Sequence, residues 1–95
     1  MTTERNLKRL INKAAETLKR YGAREVYVFG SIATSSMREG SDVDMAVEGL
    51  PPEVFFKAMA QAHSILGRPL DLIDLDEPSP FARYLKEEGE LVRVG

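Results

Sequence analysis

Gly30-Ser31-Ile32-Ala33-Thr34-Ser35-Ser36-Met37-Arg38-Glu39-Gly40-Ser41-Asp42-Val43-Asp44 joins the end of one apolar run to two carboxylates at the head of another, and the rest of the chain reads as its support. Gly30-Ser31 directly follows Val26-Tyr27-Val28-Phe29, the point where a strand stops and a helix can start. Free backbone N–H groups and the positive end of a helix dipole at such a point receive a phosphate oxygen. Glycine allows the turn and the close approach, and the Ser31 hydroxyl caps the turn or bonds the phosphate. Asp42 and Asp44 flank Val43 at the start of Val43-Asp44-Met45-Ala46-Val47. Residues two apart in an extended strand point to one face, so the two carboxylates converge, roughly 6.5–7 Å apart at the backbone. Like charges at that spacing repel unless a cation or a proton intervenes. All-oxygen ligands beside a phosphate turn suit Mg²⁺, and two such ions about 3.5–4 Å apart can share a carboxylate pair.

Outward from this stretch, hydrophobic spacing sets the elements. Leu7, Leu10, Ile11, Ala14 and Leu18 predict an amphipathic helix over 3–20, capped by Thr2 or Thr3 and closed at Gly22. Residues 25–29 predict a mostly apolar strand covered on both faces. A short helix or turn is expected over 31–36, and Gly40 reads as a turn residue returning the chain to the second strand. Pro51-Pro52-Glu53 starts a helix running to about Leu66, with Phe55, Ala58, Met59, Ala62, Ile65 and Leu66 on its core stripe and Gly67 after it. The third strand reads as Arg68 to Leu75. Ser79-Pro80 opens a last helix through about Glu88, stopped by Gly89, and Leu91-Val92-Arg93-Val94 reads as an edge strand.

The chemistry then sets the strand directions. A phosphate turn at the end of strand one meets aspartates at the start of strand two only if those strands run antiparallel. Two-metal phosphoryl chemistry calls for a further carboxylate that completes the ligand set and takes the proton of an attacking hydroxyl. Asp71, Asp74, Asp76 and Glu77 are the candidates. Asp74 lies on the opposite strand face from Asp71 and deeper in the strand, and Asp76 and Glu77 belong to the acidic loop beyond. Asp71 is the choice. Strand three must then run parallel to strand two, and residues 48–69 supply the helical crossover this requires. The expectation is an α/β fold, a small mixed sheet with flanking helices. His63, the only histidine, stands alone on a helix, and one histidine without partners makes no site.

Gly-Ser, ten residues, Asp-x-Asp resembles the signature of the DNA polymerase β-like nucleotidyltransferase superfamily, and in so short a chain it is similar to the minimal nucleotidyltransferases. From average residue usage the joint pattern arises at a given position with a probability on the order of 10⁻⁵, so coincidence is a poor account of it. The closing Phe81…Leu85…Glu88-Gly89 segment is of the kind seen in the same group, and Asp71 falls where its pattern places the third acid. The resemblance implies Mg²⁺-dependent transfer of AMP from ATP to a hydroxyl, with pyrophosphate leaving. Asp42, Asp44 and Asp71 would be the catalytic and metal-holding residues, with two ions expected, and Gly30 and Ser31 would bind the nucleotide. Minimal nucleotidyltransferases of this kind pair with a helical HEPN-type toxin, a ribonuclease, and act as its antitoxin by placing AMP on a tyrosine. Two alternatives stand beside this. One is a non-catalytic, nucleotide-binding antitoxin that neutralises its partner by binding; the other is nucleotidyl transfer to a small molecule. Many relatives carry basic residues just after Gly-Ser, whereas this chain has Ile32-Ala33-Thr34. Triphosphate charge then falls to the ions, to backbone N–H groups, or to Arg38 and Arg68.

Size and composition agree. Ninety-five residues, 43% hydrophobic and 29% charged, predict one globular domain over 1–95 with no room for a separate acceptor-binding domain. A net charge of −2 argues against strong general nucleic-acid binding. No apolar run is long enough for a membrane span and no signal-peptide core is present, so no membrane partner is expected. With no cysteine for disulfides or thiolate sites, the expected location is cytoplasmic.

Overall fold

Helix α1 (Thr3–Arg20) buries Leu7, Ile11, Ala14 and Leu18 on one stripe and turns Lys8, Arg9 and Lys13 to solvent. It ends in a left-handed turn at Gly22 (φ +123°). The N–H groups of Gly22 and Ala23 donate to the carbonyls of Lys19 and Leu18 at 3.0 and 3.1 Å, which satisfies acceptors that the helix end would otherwise leave open. These observations come from a computed structural model, which describes residues 3–30, 42–89 and 91–94.

Strand β1 (Glu25–Phe29) alternates, with Val26 and Val28 buried and Tyr27 and Phe29 half-buried on the other side. Strand β2 (Val43–Glu48) pairs with it antiparallel, in a register that sets Phe29 opposite Asp44. Helix α2 (Pro52–Leu66) has proline in its first turn and stops at Gly67 (φ +69°), whose N–H donates to the His63 carbonyl at 3.0 Å. It carries the chain over to β3 (Leu70–Asp74), which runs parallel to β2 with Asp71 beside Asp44. Helices α1 and α2 pack on each other and on one sheet face, closing a core around Val26, Val43, Met45 and Leu72.

The opposite face has a lighter cover. Helix α3 (Pro80–Glu87) is capped by the Ser79 hydroxyl, which accepts from the Ala82 N–H at 3.1 Å. It brings Leu85 down on Ala46 and Leu75, with Tyr27, Phe29, Ile73 and Leu91 around them. Strand β4 (Val92–Val94) pairs antiparallel with the free side of β1, giving the order β3-β2-β1-β4. Three helices and a four-stranded mixed sheet are thus present among the described residues.

The third strand starts at Leu70 and not at Arg68, since Pro69 has no N–H for a ladder, and it ends at Asp74, one residue before Leu75. Its pairing still runs past both ends, since the Pro69 carbonyl accepts from the Val43 N–H and the Leu75 N–H donates to the Val47 carbonyl, each at 2.9 Å. The last helix ends one residue before Glu88. The helix or turn expected over 31–36, the Gly40 turn and Ser31 lie outside the described residues. No described helix is long and apolar enough to cross a membrane.

Candidate active site

Residues directly opposite in a strand pair share a face. The register therefore sets Phe29, Asp44 and Asp71 in one row across β1, β2 and β3, on the face that α3 only partly covers. Asp44 and Asp71 stand on adjacent strands, about 4.8 Å apart at the backbone by ordinary strand spacing. Asp42 precedes β2 and is exposed, Asp71 is exposed, and Asp44 is half-buried between them.

Gly30 leaves β1 with φ +73°, a conformation that side chains disfavour. A Cβ built on it would collide with the Asp44 carboxylate. The glycine thus makes room for Asp44 as well as for the turn, a role the strand-end reading does not include. The Asp44 carboxyl is pushed above its ordinary value of 3.8, first by desolvation and then by the negative charges of Asp71 and Asp42. Those two charges are thus felt at Asp44, and a cation among the three would relieve the repulsion.

The set offers oxygen donors alone, which fits a hard divalent cation such as Mg²⁺. Among the described residues, however, no three His, Cys, Asp or Glu side chains close into a preformed metal cluster. The carboxylates gather at one end of the sheet without being drawn into a cage.

The competing acids are occupied elsewhere. Asp74 pairs in register with Val47, at the far end of β3, and its carboxylate accepts the Asp76 N–H at 2.9 Å. The Asp76 carboxylate accepts the Gly49 N–H at 2.6 Å. Both acids hold turns. His63 is exposed on α2. One feature beside the carboxylates was missed from sequence, an aromatic pair with Phe29 and Phe81 edge to face at 6.3 Å between ring centres. The only local signal was the placing of Tyr27 and Phe29 on alternate positions of β1.

Residues 12–93 match the family model described as Polymerase beta, Nucleotidyltransferase. Among solved structures, a toxin-antitoxin crystal structure with AMP-PNP superposes with a TM-score of 0.69 at 23% identity, over 88% of this chain and 73% of that one. A structure described as that of a candidate minimal nucleotidyltransferase gives a TM-score of 0.74 at 22% identity, over 94% of this chain and 95% of that one. The toxin-antitoxin MntA-HepT gives 0.64 at 21% identity, over 93% and 73%. At these identities the likeness concerns the fold. No curated protein matches the chain.

Proposed function

Because the chain belongs to the polymerase β nucleotidyltransferase family, we propose that it transfers AMP from ATP, with Mg²⁺, to a tyrosine hydroxyl of a HEPN-type helical toxin, and so serves as that toxin's antitoxin. The observation that carries the reading is the row of Asp44 and Asp71 beside Gly30, with Asp42 leading into it. The toxin-antitoxin part is supported by the fold shared with toxin-antitoxin structures, one of them holding AMP-PNP, an ATP analogue.

In this reading Asp42, Asp44 and Asp71 hold two Mg²⁺ ions, and Gly30 with Ser31 binds the phosphates. When bound, Mg²⁺ supplies charge neutralisation at the phosphates and acidifies the acceptor hydroxyl. Half-buried Asp44 is the most enclosed member, its carboxylate lying where a Cβ on residue 30 would be. Exposed Asp71 takes the proton of the attacking hydroxyl. A bond forms from the acceptor oxygen to the α-phosphorus, the bond from that phosphorus to the bridging oxygen breaks, and pyrophosphate leaves with the electron pair. The carboxylates stand on the open side of the sheet, so a docked protein acceptor would both position the hydroxyl and exclude water.

The test is incubation with Mg²⁺, α-labelled ATP and the protein encoded by the neighbouring gene. Label should pass to that protein, with its intact mass raised by whole AMP units. Label found only on free small molecules would favour small-molecule transfer. A tight complex without label would favour the non-catalytic, nucleotide-binding antitoxin.

A further inference from the structure

A groove of about 600 Å³ runs between α2 and α3 around the outer edge of β3, the terminal strand of the sheet. Leu72 and Ile73, which point to opposite sheet faces, both line it, so it wraps that edge. Its walls carry two unusual aromatics. Phe56 is 74% exposed on α2, its ring edge-on to Phe55 at 5.6 Å, and Phe81 is 49% exposed on α3. Large exposed rings gathered at a groove mark a contact surface more often than scattered apolar residues do. The rim is acidic, with Asp74, Asp76 and Glu77 along it, and no Lys, Arg or His is among the described residues that line it.

We propose that this groove docks the acceptor protein, and that the docking element is an amphipathic segment with apolar anchors flanked by Lys or Arg. The proposal rests on the reading of the chain as a nucleotidyltransferase acting on a protein. Two observations select this occupant. The first is charge: three carboxylates around an apolar floor match basic flanks and repel acidic ones. The second is continuity. Phe81 lines the groove on one side and meets Phe29 on the other, and Phe29 is the register partner of Asp44. The groove and the carboxylate row therefore flank the same Phe29–Phe81 contact.

A second copy of the chain fits less well. Symmetric pairing through the groove would bring acidic rim to acidic rim. The basic outer face of α1 offers no large exposed apolar side chain among the described residues, since those are Phe56, Phe81, Tyr84 and Val92.

The test needs neither Mg²⁺ nor ATP, so its result is independent of catalysis. A labelled amphipathic helical peptide about 20 residues long, with two Phe anchors flanked by Lys, is titrated with the full chain by fluorescence anisotropy, beside a twin with Glu in place of Lys. The Lys peptide should bind, and the Glu twin should bind at least roughly tenfold more weakly. Phe56→Ser should weaken binding of the Lys peptide by a similar factor while leaving the melting temperature unchanged, and Glu77→Lys should weaken it too. In the labelling reaction Phe56→Ser should raise KM for the protein acceptor and leave KM for ATP unaltered. Equal binding of the two peptides, no binding of either, or indifference to Phe56→Ser overturns the proposal. So does a dimer in sedimentation that Phe56→Ser abolishes, which would assign the groove to a second copy. Failure of transfer with peptide binding intact would instead count against the nucleotidyl-transfer reading.

Discussion

Asp44 carries the electrostatic load of the site. Desolvation, then Asp71, then Asp42 raise its carboxyl above the ordinary 3.8. A carboxyl that holds its proton more tightly folded than unfolded favours folding below its ordinary value, and that contribution is lost as pH rises through the folded value. At neutral pH the ionised Asp44 therefore opposes folding. Asp44→Asn should raise the ligand-free melting temperature at pH 7, leave it little changed well below the ordinary value, and abolish transfer. Differential scanning fluorimetry across pH reads this directly, and a lower melting temperature at pH 7 would contradict the assigned repulsion. Gly30 is the complementary case. Gly30→Ala adds a Cβ where the Asp44 carboxylate lies and asks alanine to adopt φ +73°, a conformation costing roughly 1–2 kcal/mol. Displacing a reacting group by about 1 Å can cost on the order of 100-fold in rate. Single-turnover transfer by the folded variant should show a loss of that size, and a wild-type rate would remove Asp44 from the reacting geometry.

Helix α3 holds the open face together with few contacts, so its cap matters more than its length suggests. Ser79→Ala removes the acceptor of the Ala82 N–H and should cost about 1 kcal/mol, lowering the melting temperature by roughly 4–8 °C in a domain of this size. A chemical-denaturation curve gives the same quantity, and a loss near zero would mean water replaces the hydroxyl. This cap was legible in the chain, because Ser-Pro before an apolar repeat has a local meaning. So were α1 and α2, each announced by a helical period and a closing glycine, and β1 and β2, read as apolar runs on either side of the Gly-Ser to Asp-x-Asp stretch. The strand directions followed from chemistry alone, since a phosphate turn and two aspartates must meet. What could not be read was long-range. The apolar Val-Tyr-Val-Phe of β1 says that both faces are covered, but no local pattern says that Leu85 and Phe81 do the covering on one of them. Likewise the edge strand was visible as apolar residues near the end of the sequence, while its choice of β1 as a partner depends on tertiary packing. The collision that Gly30 avoids with Asp44 arises only when two strand ends are placed side by side.

At the scale of the molecule, ligand binding and folding are one equilibrium. If Asp42, Asp44 and Asp71 hold Mg²⁺ with ATP, saturating both at about 100 times Kd should stabilise the chain by about 2.7 kcal/mol, which corresponds to roughly 10–20 °C in melting temperature. Asp42→Asn should abolish the shift. Asp71→Asn should keep much of it yet lose transfer, because Asp71 serves the attacking hydroxyl. If Asp74→Asn and not Asp71→Asn stops transfer, the third carboxylate is misassigned. The sheet carries a different consequence, for synthesis. Strand β1 is paired on its far side by β4, through Val26 with Val94 and Val28 with Val92. During translation α1, β1, β2 and α2 are synthesised before residues 92–94. Through that interval one edge of β1 presents unpaired N–H and C=O groups, a template for the nascent chain on the next ribosome. The strand that closes this edge is three residues long and carries Arg93, paired with Glu25 at 3.2 Å. On a crowded polysome, the arrival of this short strand marks the moment at which the β1 edge stops being a template for neighbouring chains.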